Sequence, residues 1–476
     1  MHIGSIAIFD GEFSTEGFRE RIASKLHLVP RYLQRVVPAP LNLAHPTWEW
    51  DPNFDINRHI LKATIDPPGG EAQLMDLAAK IFAGMLDRAK PLWEIHVVEG
   101  LDGGRTALVS KVHHCLVDGV SGIELLMIVL DVSPNPPPPP SQAPFDPPPM
   151  PAPAERLLDA LFDNLAARVD SLAAFQRAIV DAVASGGSGG RTLFKALETA
   201  VPYFAVPMAR APFNKTFGGG RKFAGSEFSF QEVRAVRAAC GGTVNDVVLA
   251  ILGGALGRYL EMHDIPTDGR TMRVLTPVNV RREDERGTLG NRISMLLVEV
   301  PVGIRDPIER LKDITRKTES LKRNNVADGI EMLGDALTAG PASLLATIGR
   351  LPLPPNTVGN IVCTNVPGPM IPLYTMGRRL IAHYPLIPIA WEMGIGCGVT
   401  SYDQKLYFGL IADAQAAPDV HRLKEFLDQA YVELRAAAGV SKSDLPQVGV
   451  AAAPAVARRR RAAAAPQAQP IAADAG

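Results

Sequence analysis

The spacing of hydrophobic and polar positions along the chain switches repeatedly between a period of two and one near 3.6, which marks short strands alternating with helices. Ile3–Gly11 (IGSIAIFDG) reads as a strand. Helical spacing follows around Phe18–Leu26 and again over Glu71–Leu86, with strands predicted at Trp93–Val98 and Thr106–Val112. The last of these, TALVSKV, is β-branched and partly alternating, as expected of a strand entering a core. Val120–Leu130 (VSGIELLMIVL) reads as a buried helix. Ser121 and Glu124 stand at capping-box spacing, so the helix is predicted to start near Ser121.

Pro134–Pro153, with five consecutive prolines at Pro136–Pro140, breaks this pattern. Such a run favours polyproline II geometry and acts as a semi-rigid spacer. Glu155–Val183 is Ala- and Leu-rich at helical spacing and ends at the SGGSGG of Ser185–Gly190. From Asn214 a second alternating region begins. It holds strand-like KFAGSEFSF and a helix over Asn245–Leu260, then strands at Met272–Pro277, Ile293–Val300, Asn360–Thr364, Trp391–Ser401 and Lys405–Ala412. Helices over Ile308–Arg323 and Pro418–Ala438 cover that sheet. Beyond Val448 the chain is Ala, Pro, Gln and Arg, too poor in anchors to offset the entropy of ordering. The pattern predicts an α/β (α+β) fold with a first lobe over 1–133, a linker and helical connector over 134–213, a second lobe over 214–447 and a disordered tail over 448–476.

Composition narrows the function classes. The 476 residues carry a formal charge of -1, which gives no electrostatic footprint for nucleic acid. Cys115, Cys240, Cys363 and Cys397 are far apart and fit reduced thiols in a cytosolic setting. The opening MHIGSIAIFDG lacks the basic region and long apolar run of a signal peptide. The longest uncharged stretch, Leu351–Gly377, is interrupted by six prolines and does not read as a spanning helix. At 46% hydrophobic residues the protein is apolar for a soluble chain, compatible with peripheral contact to lipid. Arg458–Arg461 is a solvated charge run with a secondary reading as an anionic-lipid contact.

The chemistry concentrates in His113-His114-Cys115-Leu116-Val117-Asp118-Gly119, on the turn between a strand and a helix. An imidazole titrates near neutral pH, so it can accept a proton from an attacking hydroxyl and return it to a leaving group. Adjacent residues of an extended chain face opposite ways, so one histidine faces a substrate and the other packs inside. Asp118 can orient the turn by pairing with a distant arginine, and Gly119 permits a tight turn. The plain alternative is a pair of hydrogen-bonded core histidines with a capping aspartate. Metal ligation lacks a zinc spacing, and Cys115 reads as a small buried hydrophobe rather than a nucleophile.

HHCLVDG, with its flanking KV and VSG, resembles the HHxxxDG signature of the CoA-dependent acyltransferase superfamily. Pro91-Leu92-Trp93-Glu94, Asn245-Asp246, Asn291-Arg292-Ile293-Ser294, Thr364–Pro369 (TNVPGP) and Phe54–Ile60 (FDINRHI) narrow the resemblance to the bacterial wax ester synthase/acyl-CoA:diacylglycerol acyltransferase family, over roughly residues 1–445. The resemblance implies chloramphenicol-acetyltransferase-like lobes with a tunnel between them. It also implies His114 as general base, His113 in support, Asp118 and Gly119 holding the loop, and Asn245 near the thioester. Asp246 has a competing reading as a helix cap, because TVND resembles an N-terminal capping sequence. PLWE reads mostly as packing, and NRIS and TNVPGP as residues shaping the tunnel and the crossing between lobes. Two departures stand out. The chain starts at Met1 inside the family pattern, without an LSPxD-like segment, and Thr364 replaces the commoner serine.

The activity so implied is transfer of a long-chain acyl group from acyl-CoA, as co-substrate, to diacylglycerol or a fatty alcohol, with no metal or other cofactor, at a membrane or lipid-droplet surface. Two competitors share the motif or the fold: an amide-forming condensation enzyme, which expects carrier partners, and a non-catalytic lipid-binding coat protein.

Overall fold

The computed structural model describes residues 1–40, 45–116, 125–137, 152, 154–155, 157–159, 161–162, 165, 208–279, 293–323, 359–390 and 392–443. In chain order the strands are β1 (His2–Asp10), β2 (Gln34–Val37), β3 (Thr47–Trp50), β4 (Ile60–Thr64), β5 (Trp93–Leu101), β6 (Arg105–His113), β7 (Arg221–Ser229), β8 (Thr271–Asn279), β9 (Ile293–Pro301), β10 (Ile361–Val366), β11 (Tyr374–Thr375), β12 (Arg378–Leu386), β13 (Ile395–Tyr402) and β14 (Lys405–Asp413). The longer helices are α1 (Thr15–Ala23), α2 (Glu71–Ala83), α3 (Phe230–Cys240), α4 (Val244–Met262), α5 (Pro307–Arg323) and α6 (Val420–Ala437). The tail over 448–476 and most of the connector over 134–213 lie outside the described residues.

Two six-stranded sheets carry the two lobes, in the orders β11-β12-β1-β6-β5-β4 and β7-β14-β13-β10-β8-β9. Every residue of β13 and β14 is buried, because helices cover one face of the second sheet and the first lobe covers the other. On the helical side, α4 is buried almost all round, the mark of a core helix. Ser229 caps α3 and Thr243 caps α4, each accepting from a backbone N–H three residues on. Among the described residues no single helix is long and apolar enough to cross a membrane.

Residues 374–386, assigned from sequence to the second lobe, are strands of the first sheet. The correction has a physical cause: β12 runs antiparallel to β1 from Gly4↔Leu386 to Asp10↔Arg379, satisfying the open edge of β1. The chain leaves the second sheet through TNVPGP at the end of β10. There Thr400 Oγ1 donates to Val366 O at 2.9 Å and Gly368 N–H donates to Ser401 Oγ at 3.1 Å. It then crosses into β11.

The two sheets meet closely where side chains are missing. Gly225, Gly409 and Gly398 stand opposite one another on β7, β14 and β13. A Cβ at 409 would lie 1.9 Å from the Pro385 carbonyl oxygen, and one at 225 would lie 2.6 Å from the Tyr384 ring. The bare row is the seat on which β12 crosses the second sheet. Thr364 pairs with Gly398 at its end, so the methyl that distinguishes it from serine sits beside a residue with no side chain.

Candidate active site

β6 delivers the motif to one edge of the first sheet. Its last residue, His113, donates its backbone N–H to Leu92 O at 2.9 Å, and His114 donates to Met1 O at 3.0 Å. The chain then turns, with Leu116 N–H returning to His113 O at 2.9 Å. The turn brings residues i and i+2 together, which extended geometry would not. His113 Nδ1 accepts the Cys115 N–H at 3.2 Å and lies 3.0 Å from Cys115 Sγ. With Nδ1 accepting, the ring carries its proton on Nε2, an assignment inferred from the hydrogen-bond network. Burial lowers the pKa of His113, and the nearby positive charge of Arg88 adds to the shift.

His114 is different. It is half-exposed, and its imidazole has no hydrogen-bond partner among the described residues. The motif therefore divides into one tethered ring and one without a hydrogen-bond partner among the described residues. Cys115 is exposed rather than buried, because the turn lifts it off the sheet. Partial desolvation raises its thiol pKa, so it is not an activated nucleophile. Asp118 and Gly119, and with them the proposed arginine partner and the cap at Ser121, lie outside the described residues; the chain is helical again over residues 125–129.

Behind the turn sits a buried ion pair. Lys111 Nζ donates to Glu94 Oε1 at 2.9 Å and to Ile81 O, at the C-terminal end of α2, at 2.8 Å. Burial opposes ionisation of Glu94, yet hydrogen bonds from His96 and Lys111 overcome it and hold the carboxyl at about 2. His2, paired with His113 across β1 and β6, places its ring centroid 6.0 Å from that ring. Burial, followed by the charge of Lys111, depresses its pKa to about 4. Sequence reasoning gave Lys111, in the flanking KV, no role of its own and missed His2, which only strand register brings to the site.

PLWE packs, as its composition predicts: Trp93 is 2% exposed, donates Nε1–H to Tyr32 O at 2.8 Å and stacks on His59 at 4.5 Å. His59 belongs to FDINRHI, so two separate motifs form one aromatic stack under the motif edge. Asp246 is a helix cap, with Oδ2 accepting from Thr243 N–H at 2.7 Å and from its hydroxyl at 2.8 Å. Its Oδ1 accepts from Thr318 Oγ1 at 2.8 Å and ties α4 to α5. Asn245 beside it is half-exposed, with no side-chain hydrogen bond among the described residues. Asn291 and Arg292 fall outside those residues. A cavity of about 470 Å³ lined by Glu12, Lys62, Glu99, Arg105 and Thr106 lies at the start of β6. It is at the opposite end of the strand from His114, roughly 27 Å away by strand rise, and is not the site of this chemistry.

Comparison with known proteins fits this arrangement. The family described as wax ester synthase/diacylglycerol acyltransferase catalytic domain matches residues 1–248, and the WS/DGAT C-terminal domain matches residues 289–435. A Mycobacterium bovis protein named as a putative diacylglycerol O-acyltransferase is 31% identical over 459 residues, covering 92% of this chain and 96% of its own length. A Mycobacterium tuberculosis protein of the same description is 33% identical over 452 residues, covering 92% and 93%. Among solved structures, the wax ester synthase/diacylglycerol acyltransferase of Marinobacter aquaeolei VT8 superposes with a TM-score of 0.63 at 26% identity, covering 92% of this chain and 95% of that one. The first condensation domain of the calcium-dependent antibiotic synthetase shares the fold at a TM-score of 0.56 and 14% identity, covering 92% and 91%. With both domain matches in order along the chain and relatives 31% and 33% identical over most of its length, the chain belongs to the wax ester synthase/diacylglycerol acyltransferase family.

Proposed function

We propose that the protein transfers a long-chain acyl group from acyl-CoA to the free hydroxyl of diacylglycerol, with fatty alcohol as a second acceptor. The observation that carries the reading is the free, half-exposed imidazole of His114 on the family's motif turn, beside a His113 ring held by Cys115. His114 takes the hydroxyl proton as the oxygen bonds to the thioester carbonyl carbon. The carbon–sulfur bond then breaks and the proton passes to the departing thiolate, giving triacylglycerol or wax ester plus free CoA. Asn245, with its uncommitted amide, approaches the reacting carbonyl.

Diacylglycerol resides in lipid, so the enzyme works docked on a membrane or lipid-droplet surface. Leu157, Leu158, Leu161, Phe162 and Leu165 support this part: they recur at helical spacing and remain 38% to 66% exposed.

The test is CoA release by purified protein given palmitoyl-CoA with diacylglycerol, monoacylglycerol, hexadecanol or an amine. Ester products are expected, and His114→Ala should lower the rate roughly 100- to 10,000-fold. Equal rates for parent and variant refute the mechanism, and product from the amine alone favours the condensation chemistry of the fold relatives.

A further inference from the structure

The edge of the first sheet that bears His114 also gathers three cations with no role in the chemistry above. Ile95 N–H donates to His59 O at 2.7 Å, Trp93 stands opposite Val112, and His113 N–H donates to Leu92 O at 2.9 Å. The chain entering β4, the chain entering β5 and the turn leaving β6 therefore lie side by side along one edge. Arg58 immediately precedes the first of these, and Arg88 and Lys90 precede the second. Arg58 and Arg88 are exposed. None of the three has a carboxylate partner among the described residues; Lys90 Nζ donates only to Arg58 O, at 3.1 Å.

The nearby acids form no ion pair with them, although Asp55 is close enough to feel the charge of Arg58. Asp55 Oδ1 accepts from Asn57 N–H at 2.9 Å, Asp87 Oδ1 accepts from Ala89 N–H at 2.9 Å, and Glu94 is held by Lys111. Arg88 is near enough for its charge to act on both His113 and Cys115. At a spacing of about 4.8 Å per strand, Arg58 starts roughly 10 Å from the motif turn, so the cations flank the reacting centre without crowding it.

We infer that Arg58, Arg88 and Lys90 form the docking rim for the phosphate groups of the acyl-CoA donor, with the thioester reaching inward to His114. The inference rests on the acyltransferase reading and adds the residues that recognise the donor's nucleotide. Cations gathered from two loops along the edge that bears His114 raise the local potential for an anionic ligand, and a phosphate-bearing donor supplies the complementary charge.

The experiment compares parent, Arg88→Gln and Arg88→Gln/Lys90→Gln, in uncharged detergent micelles and on vesicles containing phosphatidylglycerol, with two donors: palmitoyl-CoA and the palmitoyl thioester of N-acetylcysteamine, which has no phosphates. The double variant should raise KM for palmitoyl-CoA roughly 5- to 10-fold with little change in kcat, as befits exposed charge pairs. That rise should shrink in high salt, and the truncated thioester should be turned over alike by all three proteins. A KM for palmitoyl-CoA unchanged from the parent overturns the rim. So does an equal loss with both donors, or a loss confined to vesicles containing phosphatidylglycerol, which would mark a lipid headgroup as the ligand. A parent inactive on either thioester would instead sink the acyltransferase reading itself.

Discussion

Gly409→Ala tests the joint between the sheets. Gly409 is the middle of the bare row, and a Cβ there would stand 1.9 Å from Pro385 O and 3.0 Å from Pro385 C. Ordinary contact begins near 3.4 Å, and Cβ atoms essentially never come within 3.0 Å of a neighbour, so the β12 backbone would have to move by more than an ångström. It is not free to do so, being hydrogen-bonded to β1 on its other side. Overpacking of this kind costs about 1 to 3 kcal/mol, and a clash with backbone rather than a side-chain tip belongs at the upper end. At roughly 2 to 4 °C per kcal/mol for a domain of ordinary size, about 2 to 3 kcal/mol should lower the melting midpoint by about 4 to 12 °C. Gly219→Ala is the control, since its Cβ would meet nothing within 4 Å, and it should stay within about 0.5 kcal/mol of the parent. Calorimetry of the three proteins side by side decides the matter: a Gly409→Ala midpoint matching that of Gly219→Ala refutes the close crossing.

Asp246→Ala removes the capping box and the Thr318 tie, so it should lower stability by about 1 to 3 kcal/mol in denaturant titration; Asn245→Ala should instead reduce turnover with an unchanged midpoint. Glu94 has a folded pKa near 2, below its unfolded value. Its contribution is therefore present above pH ~4.5 and lost as pH falls from there toward 2. Unfolding measured across that window should steepen relative to Glu94→Gln, and parallel curves would remove the ion pair from the account. Phe162→Glu should weaken flotation with diacylglycerol-bearing vesicles while leaving the melting midpoint alone, and undiminished flotation would exclude this stripe as the docking face.

Much of the site is local and therefore readable along the chain. The period-two run into His113, the TVND cap and the Trp93 packing each depend on residues within a few positions of one another, and each stands in the structure as its pattern predicts. The motif turn was legible too, although the exposure of Cys115 was not, because alternation does not say where an extended chain stops.

Partnership between distant segments is another matter. β12 has no clean alternation, so no strand is read there from sequence, and nothing in RRLIAHYPL says that its neighbour is β1 rather than a strand of the second sheet. The glycines of the bare row look like ordinary strand interruptions until register aligns them. His2, Arg88 and Lys90 carry no motif, and they meet Arg58 of FDINRHI at the His114 edge only because four chain ends share it. Side-chain periodicity encodes which face of an element is buried; which surface buries it is settled by hydrogen-bond pairing and shape across hundreds of residues, a choice made only when the chain closes on itself.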